Sequence, residues 1–159
     1  MTETTQSDGL NFFQQMIEED ARTKAAAPAV NSANKAAIFA GMAQAAINRI
    51  IACFDGSGDD GAVREIQYFR GDEQLESEPV TPATIAVQSA RSWRNGPGDL
   101  VDLPTAIEYV TDELIDQHHA GWENNEGGQG EAIFDTDAGT ITLNIGLNYT
   151  QTDDYRYEF

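Results

Sequence analysis

Residues 141–149 alternate strictly between apolar and polar side chains, and this alternation constrains the fold more than any other feature of the chain. Successive side chains of a strand point to opposite faces, so the pattern predicts a half-buried antiparallel strand. Its apolar face must be covered, most simply by helices on one side of the sheet. Residues Glu131–Thr136 and a turn at Asp137–Gly139 predict the hairpin partner of this strand. The apolar positions are Ile141, Leu143, Ile145, Leu147 and Tyr149.

A second hairpin is predicted around the stretch FDGSGDDG, residues Phe54–Gly61. The preceding run Arg49–Phe54 is rich in β-branched and aromatic residues, which favour strands. Residues Ala62–Arg70 predict another strand, so that Asp55–Gly61 becomes the connection between the two.

The N-terminal third predicts two helices separated by a break. Residues 1–9 are polar and predict a flexible terminus, and apolar residues then recur at helical spacing over residues 10–21. We expect a break at Ala25–Val30, because Pro28 removes a helical hydrogen bond. An alanine-rich second helix follows and ends near Ile47.

The middle of the chain predicts one further helix and one segment whose secondary structure the sequence does not decide. Pro104–His119 has helical periodicity, and Asp99 or Asp102 can cap its N-terminus. Residues 83–93 fit a helix and a strand equally well, since the segment has a helix-start signal and a short alternation.

These elements predict an α+β fold in which an antiparallel β-sheet of four to five strands, built from hairpins, packs against helices. Residues 10–159 are expected to form a single domain, because their number is close to the usual size of one domain. The order of the elements also raises the hypothesis of an αββ-αββ pseudo-repeat, in which Phe54–Gly61 would correspond to Trp122–Gly130.

The charge of the chain limits its partners. The 27 acidic and 9 basic residues leave a net charge of −18, and residues 95–159 contain a single basic residue, Arg156. Such a field repels nucleic acid and attracts basic surfaces. No segment is long and apolar enough for a membrane span. Cys53 is the only cysteine, and no targeting signal is evident, so a cytoplasmic location is expected.

The stretch FDGSGDDG raises the hypothesis of a Ca²⁺ or Mg²⁺ site, because hard cations take several oxygen ligands and Asp55, Ser57, Asp59 and Asp60 offer them close together. The spacing does not match the helix-loop-helix calcium pattern, since Asp60 stands where that pattern has glycine. A glycine-containing hairpin turn is the favoured interpretation, and no other cofactor is expected.

A second polar loop follows the helix Pro104–His119. The adjacent histidines His118 and His119 point about 100° apart on a helix, so they are poorly placed to bind one metal ion together. Trp122 has two equally favoured interpretations: a plug of the core, or an apolar anchor of a recognition surface ringed by polar groups. The polar groups of that surface would be Glu123, Asn124, Asn125 and Glu126.

Acidic residues form a stripe along the helix Pro104–His119. Glu108, Asp112 and Asp116 recur at a spacing of four residues, which destabilises a helix slightly because like charges become neighbours. The spacing of roughly 6 Å is comparable to that of phosphates along a nucleic-acid strand. The stripe could therefore imitate a polyanion, although an acidic face that only maintains solubility explains it too.

No catalytic motif of high specificity is present, and the sequence favours a protein without enzymatic activity. The leading hypothesis is an acidic binding or inhibitor protein that engages a basic protein surface, including one that normally binds nucleic acid. The alternative is a divalent-cation-binding protein that uses residues 55–61, and the third is a hydrolase with paired carboxylates.

Four motifs resemble a family of small acidic bacterial proteins, the domain-of-unknown-function family numbered 6878. The resemblance covers residues 36–159 and implies a bacterial, plasmid or phage origin, without implying an established activity. It makes a binding role of the loops more plausible. The motifs are FDGSGDDG, HHAGWENNEGGQGE, FDTDAGTITL and the C-terminal YEF.

Overall fold

The computed structural model describes residues 3–97, 99–124 and 126–159, and its architecture is α+β, as the sequence predicts. Two helices pack on one face of a five-stranded antiparallel sheet with the strand order β3-β2-β1-β4-β5. The elements are α1 (Glu3–Gln44), β1 (Arg49–Ser57), β2 (Asp60–Arg70), β3 (Glu73–Gln74), α2 (Leu103–His119), β4 (Gly128–Asp135) and β5 (Thr140–Leu147).

Helix α1 is continuous, and the break predicted at Ala25–Val30 is wrong. Pro28 lies inside the helix. The helix is held by polar contacts on both sides of the proline, where Glu19 accepts hydrogen bonds from Ser92 and Asn34 exchanges two with the backbone of Gln88. Tertiary packing thus overrides the local cost of the proline. The helix includes residues 3–9, whose predicted flexibility stays a prediction.

Both predicted hairpins form. Strand β1 lies in the middle of the sheet and pairs antiparallel with β2 on one side and β4 on the other. The strand β5, predicted from its alternation, pairs with β4 at the edge of the sheet. The sequence did not predict the two-residue strand β3, which extends the opposite edge.

The core lies between the helices and one face of the sheet. Alternate side chains of β1 and β4 face the helices and are buried, among them Ile50 and Phe134. They meet Met42 of α1 and Ile107 of α2, both 0% exposed. The opposite face of the sheet has no helix over it within the described part of the chain.

Residues 83–93 form neither of the two structures that the sequence left open. Apart from one bridge between Ile85 and Val101, the segment is irregular. Buried polar side chains from the two helices hold it: Asn34 bonds the backbone of Gln88, and Glu113 accepts from the amide of Ala90. Long-range side-chain contacts therefore replace regular backbone pairing here.

The αββ-αββ pseudo-repeat is not confirmed. The element order contains two such units, but Phe54–Gly61 lies within the β1–β2 hairpin, whereas Trp122–Gly130 connects α2 to β4. The two stretches compared in the sequence thus occupy positions that are not equivalent, and the duplication stays a hypothesis.

Candidate functional site

The glycines of FDGSGDDG make room for the indole of Trp122. The ring packs edge-on against Phe54, with 5.3 Å between ring centroids and an interplanar angle of 77°. A Cβ atom added at Gly61 would lie 2.6 Å from Cζ2 of Trp122, and one at Gly56 would lie 3.0 Å from its Cη2. No side chain fits in these spaces, so the stretch is a glycine-built platform for the tryptophan.

The turn of this hairpin consists of Gly58 and Asp59. Gly58 has φ of +67°, a conformation that glycine adopts without strain. The hairpin-turn interpretation of the stretch is thus confirmed, with Ser57 and Asp60 paired across the turn.

The predicted cation ligands are engaged by an arginine. The Arg64 guanidinium lies 2.8 Å from Oδ1 of Asp55 and 3.3 Å from Oδ2 of Asp60, and both aspartates raise the pKa of Arg64. Ser57 and Asp59 are exposed at the tip of the hairpin. Among the described residues, no group of three or more His, Cys, Asp or Glu side chains could hold a metal ion. The geometry therefore gives the Ca²⁺ or Mg²⁺ hypothesis no support.

The second polar loop surrounds Trp122 only in part. The indole is half-buried against the hairpin, which favours packing over a projecting anchor. Glu123 is half-buried beside it, whereas Asn124 and Glu126 are exposed. Asn125, which was predicted for the same surface, lies outside the described residues.

The acidic stripe of α2 divides into two parts. Glu108 and Asp112 are exposed, as predicted for a binding face. Asp116, however, forms an ion pair with Arg91 and lies partly buried. Asp116 is therefore a structural residue that anchors the 83–93 segment. The predicted stripe of three binding carboxylates is wrong in its third member.

Glu113, next to the stripe, is the most deeply buried carboxylate among the described residues. Its side chain is 1% exposed, and Oε2 lies 2.7 Å from Nη1 of Arg94. Burial alone would raise the pKa of Glu113, but hydrogen bonds from Gln117 and the Ala90 amide and the charge of Arg94 together lower the pKa. This ionised carboxylate holds the segment around Ala90 and Arg94 against α2.

Glu108 lies beside a carboxylate that the sequence did not connect with it. Glu78, from the loop after β2, lines the same surface groove, which has a volume of about 220 Å³. Glu65 of β2 also borders the groove, but its carboxylate lies beside Cys53 and Gln67 on the opposite face of the sheet. The hydroxyl of Tyr68 donates a hydrogen bond to Glu78 at 3.5 Å. Burial raises the pKa of Tyr68, and the nearby carboxylates of Glu78, Asp102 and Glu108 raise it further. We call this site the acidic groove; its lining is Val63, Arg64, Glu65, Ile66, Tyr68, Glu78 and Glu108.

Asp112 extends the negative surface one turn further along α2. Neighbouring protein atoms remove part of the water from its carboxylate, and this desolvation raises the pKa of Asp112; Arg94 opposes the shift and Glu108 adds to it. The raised pKa of Asp112 therefore comes mainly from desolvation, and Glu108 makes the smallest of the three contributions.

All nine basic residues of the chain have a partner within the molecule. Six form ion pairs, involving seven of the 27 carboxylates; Lys35 and Arg70 donate to backbone carbonyls, and Arg49 stacks on Phe69. Arg64, the basic residue of the acidic groove, binds the hairpin aspartates. Glu78 and Glu108, the two carboxylates of the groove, are therefore outside these ion pairs.

The geometry does not favour a hydrolase. The acidic groove brings together the carboxylates of Glu78 and Glu108, but its volume is below the roughly 300–1,000 Å³ of typical small-molecule sites. Burial raises the pKa of the Cys53 thiol, and Glu65 and Glu131 raise it further, so this residue is a poor nucleophile. What the groove can do chemically is bind a cationic group.

Among the described residues, no helix combines the length and hydrophobicity needed to cross a bilayer. Neither the curated proteins nor the solved structures contain a match to this chain. The model of DUF6878, described as a family of unknown function, matches residues 30–159. This match covers most of the chain and includes the groove, the β1–β2 hairpin and the polar loop after α2, so the protein belongs to the DUF6878 family.

Proposed function

We propose that the protein is a non-catalytic acidic binding or inhibitor protein that engages a basic protein surface through the acidic groove. The observation that carries this proposal is that Glu78 and Glu108 meet around Tyr68 in one groove, whose basic residue, Arg64, is bound to the hairpin aspartates. Like charges gathered at one place cost stability, which makes an external cation the natural counterpart.

The groove has the chemistry that a lysine or arginine side chain requires. Val63 and Ile66 provide the apolar part of the lining, and Glu78 and Glu108 provide the carboxylates. Lysine and arginine bury their aliphatic stems along apolar surface and leave the charged group at the edge. A protruding basic side chain of the partner can therefore insert here, with Asp112 available to a second one.

Basic surfaces that normally bind nucleic acid are the class of partner that we propose, because they present several such side chains side by side. The same negative field opposes direct binding to nucleic acid and to anionic membrane surfaces. A role in conflict between a phage or plasmid and its host is consistent with such inhibition.

Titration calorimetry with a synthetic Lys- and Arg-rich peptide tests the proposal. The double variant Glu78→Gln/Glu108→Gln should weaken binding about tenfold or more, since both groups that face the cation lose their charge. The matched control Asp153→Asn/Asp154→Asn removes the same charge from the exposed C-terminal tail and should change the affinity less than about twofold.

Binding in the wild type should weaken as the salt concentration rises. An equal loss in both double variants would reduce the interaction to diffuse attraction by net charge. Binding that is tight at low and high salt alike would contradict the electrostatic basis of the proposal.

A further inference from the structure

The first turns of α1 extend beyond the rest of the molecule. Residues 8–18, which we call the arm, are exposed throughout. Glu19 is the point of attachment, because its Oε1 accepts hydrogen bonds from the backbone and hydroxyl of Ser92. From Thr23 onward, which is 4% exposed, the helix contacts its own domain. The arm also precedes residue 30, where the match to the family begins.

The arm is strongly amphipathic. At 100° per residue, its five large apolar side chains fall within about 160° of the helix circumference. The opposite side carries Asn11, Gln15 and Glu18. The apolar side chains are 55–68% exposed, and they are Leu10, Phe12, Phe13, Met16 and Ile17.

An apolar stripe of this size needs a partner. An aromatic side chain carries roughly 150–250 Å² of surface, so the five half-exposed residues offer on the order of 500 Å². Patches of this size on a soluble protein mark interaction sites. Two such stripes together provide about 1,000 Å², which reaches the lower end of specific interfaces.

We propose that the arm is a dimerisation element, in which the arms of two copies of this chain pack antiparallel along their apolar stripes. A symmetric dimer needs a surface that is complementary to itself, and an uncharged apolar stripe meets this condition. Glu18 lies on the far side of the helix, so its charge stays in water. Asp20, which follows on the apolar side, is paired with Lys24 at 2.9 Å.

The antiparallel orientation follows from the net charge of −18. Parallel arms would place two acidic domains side by side, whereas antiparallel arms place them at opposite ends of the helix pair. The arm spans about 16 Å at 1.5 Å per residue, beyond the Debye length of roughly 8 Å at physiological salt. Repulsion between the domains is thereby reduced.

Sedimentation equilibrium of the full chain over a wide concentration range tests the dimer. The wild type should associate with a micromolar dissociation constant, because the interface is small. Phe13→Asp places a charge in the middle of the stripe and should raise this constant about tenfold or more. The control Asn11→Asp introduces the same residue on the opposite side of the arm and should change the constant less than about twofold. Both side chains lie outside the core, so circular dichroism should show unchanged thermal unfolding of the domain.

The effect of salt concentration distinguishes the dimer from the proposed binding to a basic partner. Salt screens the repulsion between two acidic copies and should strengthen the dimer, whereas it should weaken binding to a basic partner. A wild type that stays monomeric at every concentration would overturn the dimer, and a dimer that both variants preserve would overturn the arm as its interface. Either result leaves the acidic groove and its peptide test unaffected.

Discussion

The β1–β2 hairpin and the acidic groove carry acidic groups in opposite situations. At the hairpin, Asp55 and Asp60 share the guanidinium of Arg64, at 2.8 and 3.3 Å. In the acidic groove, Glu78 and Glu108 line one surface without an ion-pair partner. The comparison teaches that a run of acidic residues in a sequence does not by itself locate the negative electrostatic potential at the surface. The potential depends on which carboxylates are paired with one of the few arginines.

The same contrast runs along α2. Glu113 and Asp116 bind Arg94 and Arg91 and thereby hold the irregular 83–93 segment. Asp112 lies within about one turn of both, Glu108 lies one turn before Asp112, and both Asp112 and Glu108 are exposed. One helix thus combines structural carboxylates and carboxylates that are free to bind, and substitutions can separate the two roles.

The largest effect is expected for Glu113→Ala, which leaves the Ala90 amide without its acceptor and Arg94 without its counter-charge. Removal of one partner from a buried ion pair should lower the free energy of unfolding by about 3 kcal/mol. The control Glu108→Ala on the exposed side should change it by less than about 0.5 kcal/mol. Urea unfolding of both variants checks this, and equal losses would contradict the division of roles along α2.

The next effect concerns the two tryptophans. Trp122→Ala should lower the free energy of unfolding by about 2 kcal/mol, because the glycine platform would be left with an empty space. Trp93 is 65% exposed, so Trp93→Ala should cost less than about 0.5 kcal/mol. Thermal or urea unfolding decides the matter; a Trp122→Ala variant as stable as Trp93→Ala would mean that the indole does not fasten the hairpin.

Glu113 and Asp112 should give stability opposite dependences on pH. The lowered pKa of Glu113 contributes stability above about pH 4.5, its ordinary pKa, and this contribution is lost as pH falls through the lower pKa of the folded state. The raised pKa of Asp112 has the opposite sign: ionisation destabilises the fold as pH rises above about 3.8. We expect wild type to exceed Glu113→Gln in stability only toward neutral pH, and Asp112→Asn to gain on wild type over the same rise. Parallel pH profiles for the two variants would refute this assignment.

The smallest effect compares single carboxylates at the two acidic regions. Glu108→Gln removes a like-charge neighbour of Asp112 and should raise the free energy of unfolding by about 0.3 kcal/mol. Asp55→Asn weakens an exposed ion pair with Arg64 and should lower it by about 0.5 kcal/mol. Replicate denaturant titrations can resolve this change of sign, and the same sign for both would show that the regions do not differ electrostatically.

The sequence predicts the strands well because their signals are local. The alternation over residues 141–149 and the glycines between β1 and β2 depend only on neighbours along the chain. The break at Pro28 failed for the opposite reason, since contacts of Asn34 and Glu19 with a distant loop hold the helix together. Local propensity could not reveal them.

The sequence predicted those residues of the site that lie on one secondary-structure element, and missed those that other elements contribute. Glu108 and Asp112 follow from helical spacing, whereas Glu78 joins Glu108 through tertiary structure. The loss of Asp116 from the binding face depends on Arg91, which is 25 residues away along the chain. The glycines around Trp122 were a usable signal for its packing, because seven of them cluster in residues 54–61 and 121–130, and Gly56, Gly61 and Gly128 lie against the indole.

Backbone NMR of the isotope-labelled protein during titration with the Lys- and Arg-rich peptide tests the central claim most directly. We predict that the largest shift changes occur in residues 63–68, around Glu78 and in the first three turns of α2, and that the changes saturate together. Larger changes at residues 55–61 or along the tail 148–159, or changes spread evenly over all exposed carboxylates, would contradict the assignment of the acidic groove as the binding site.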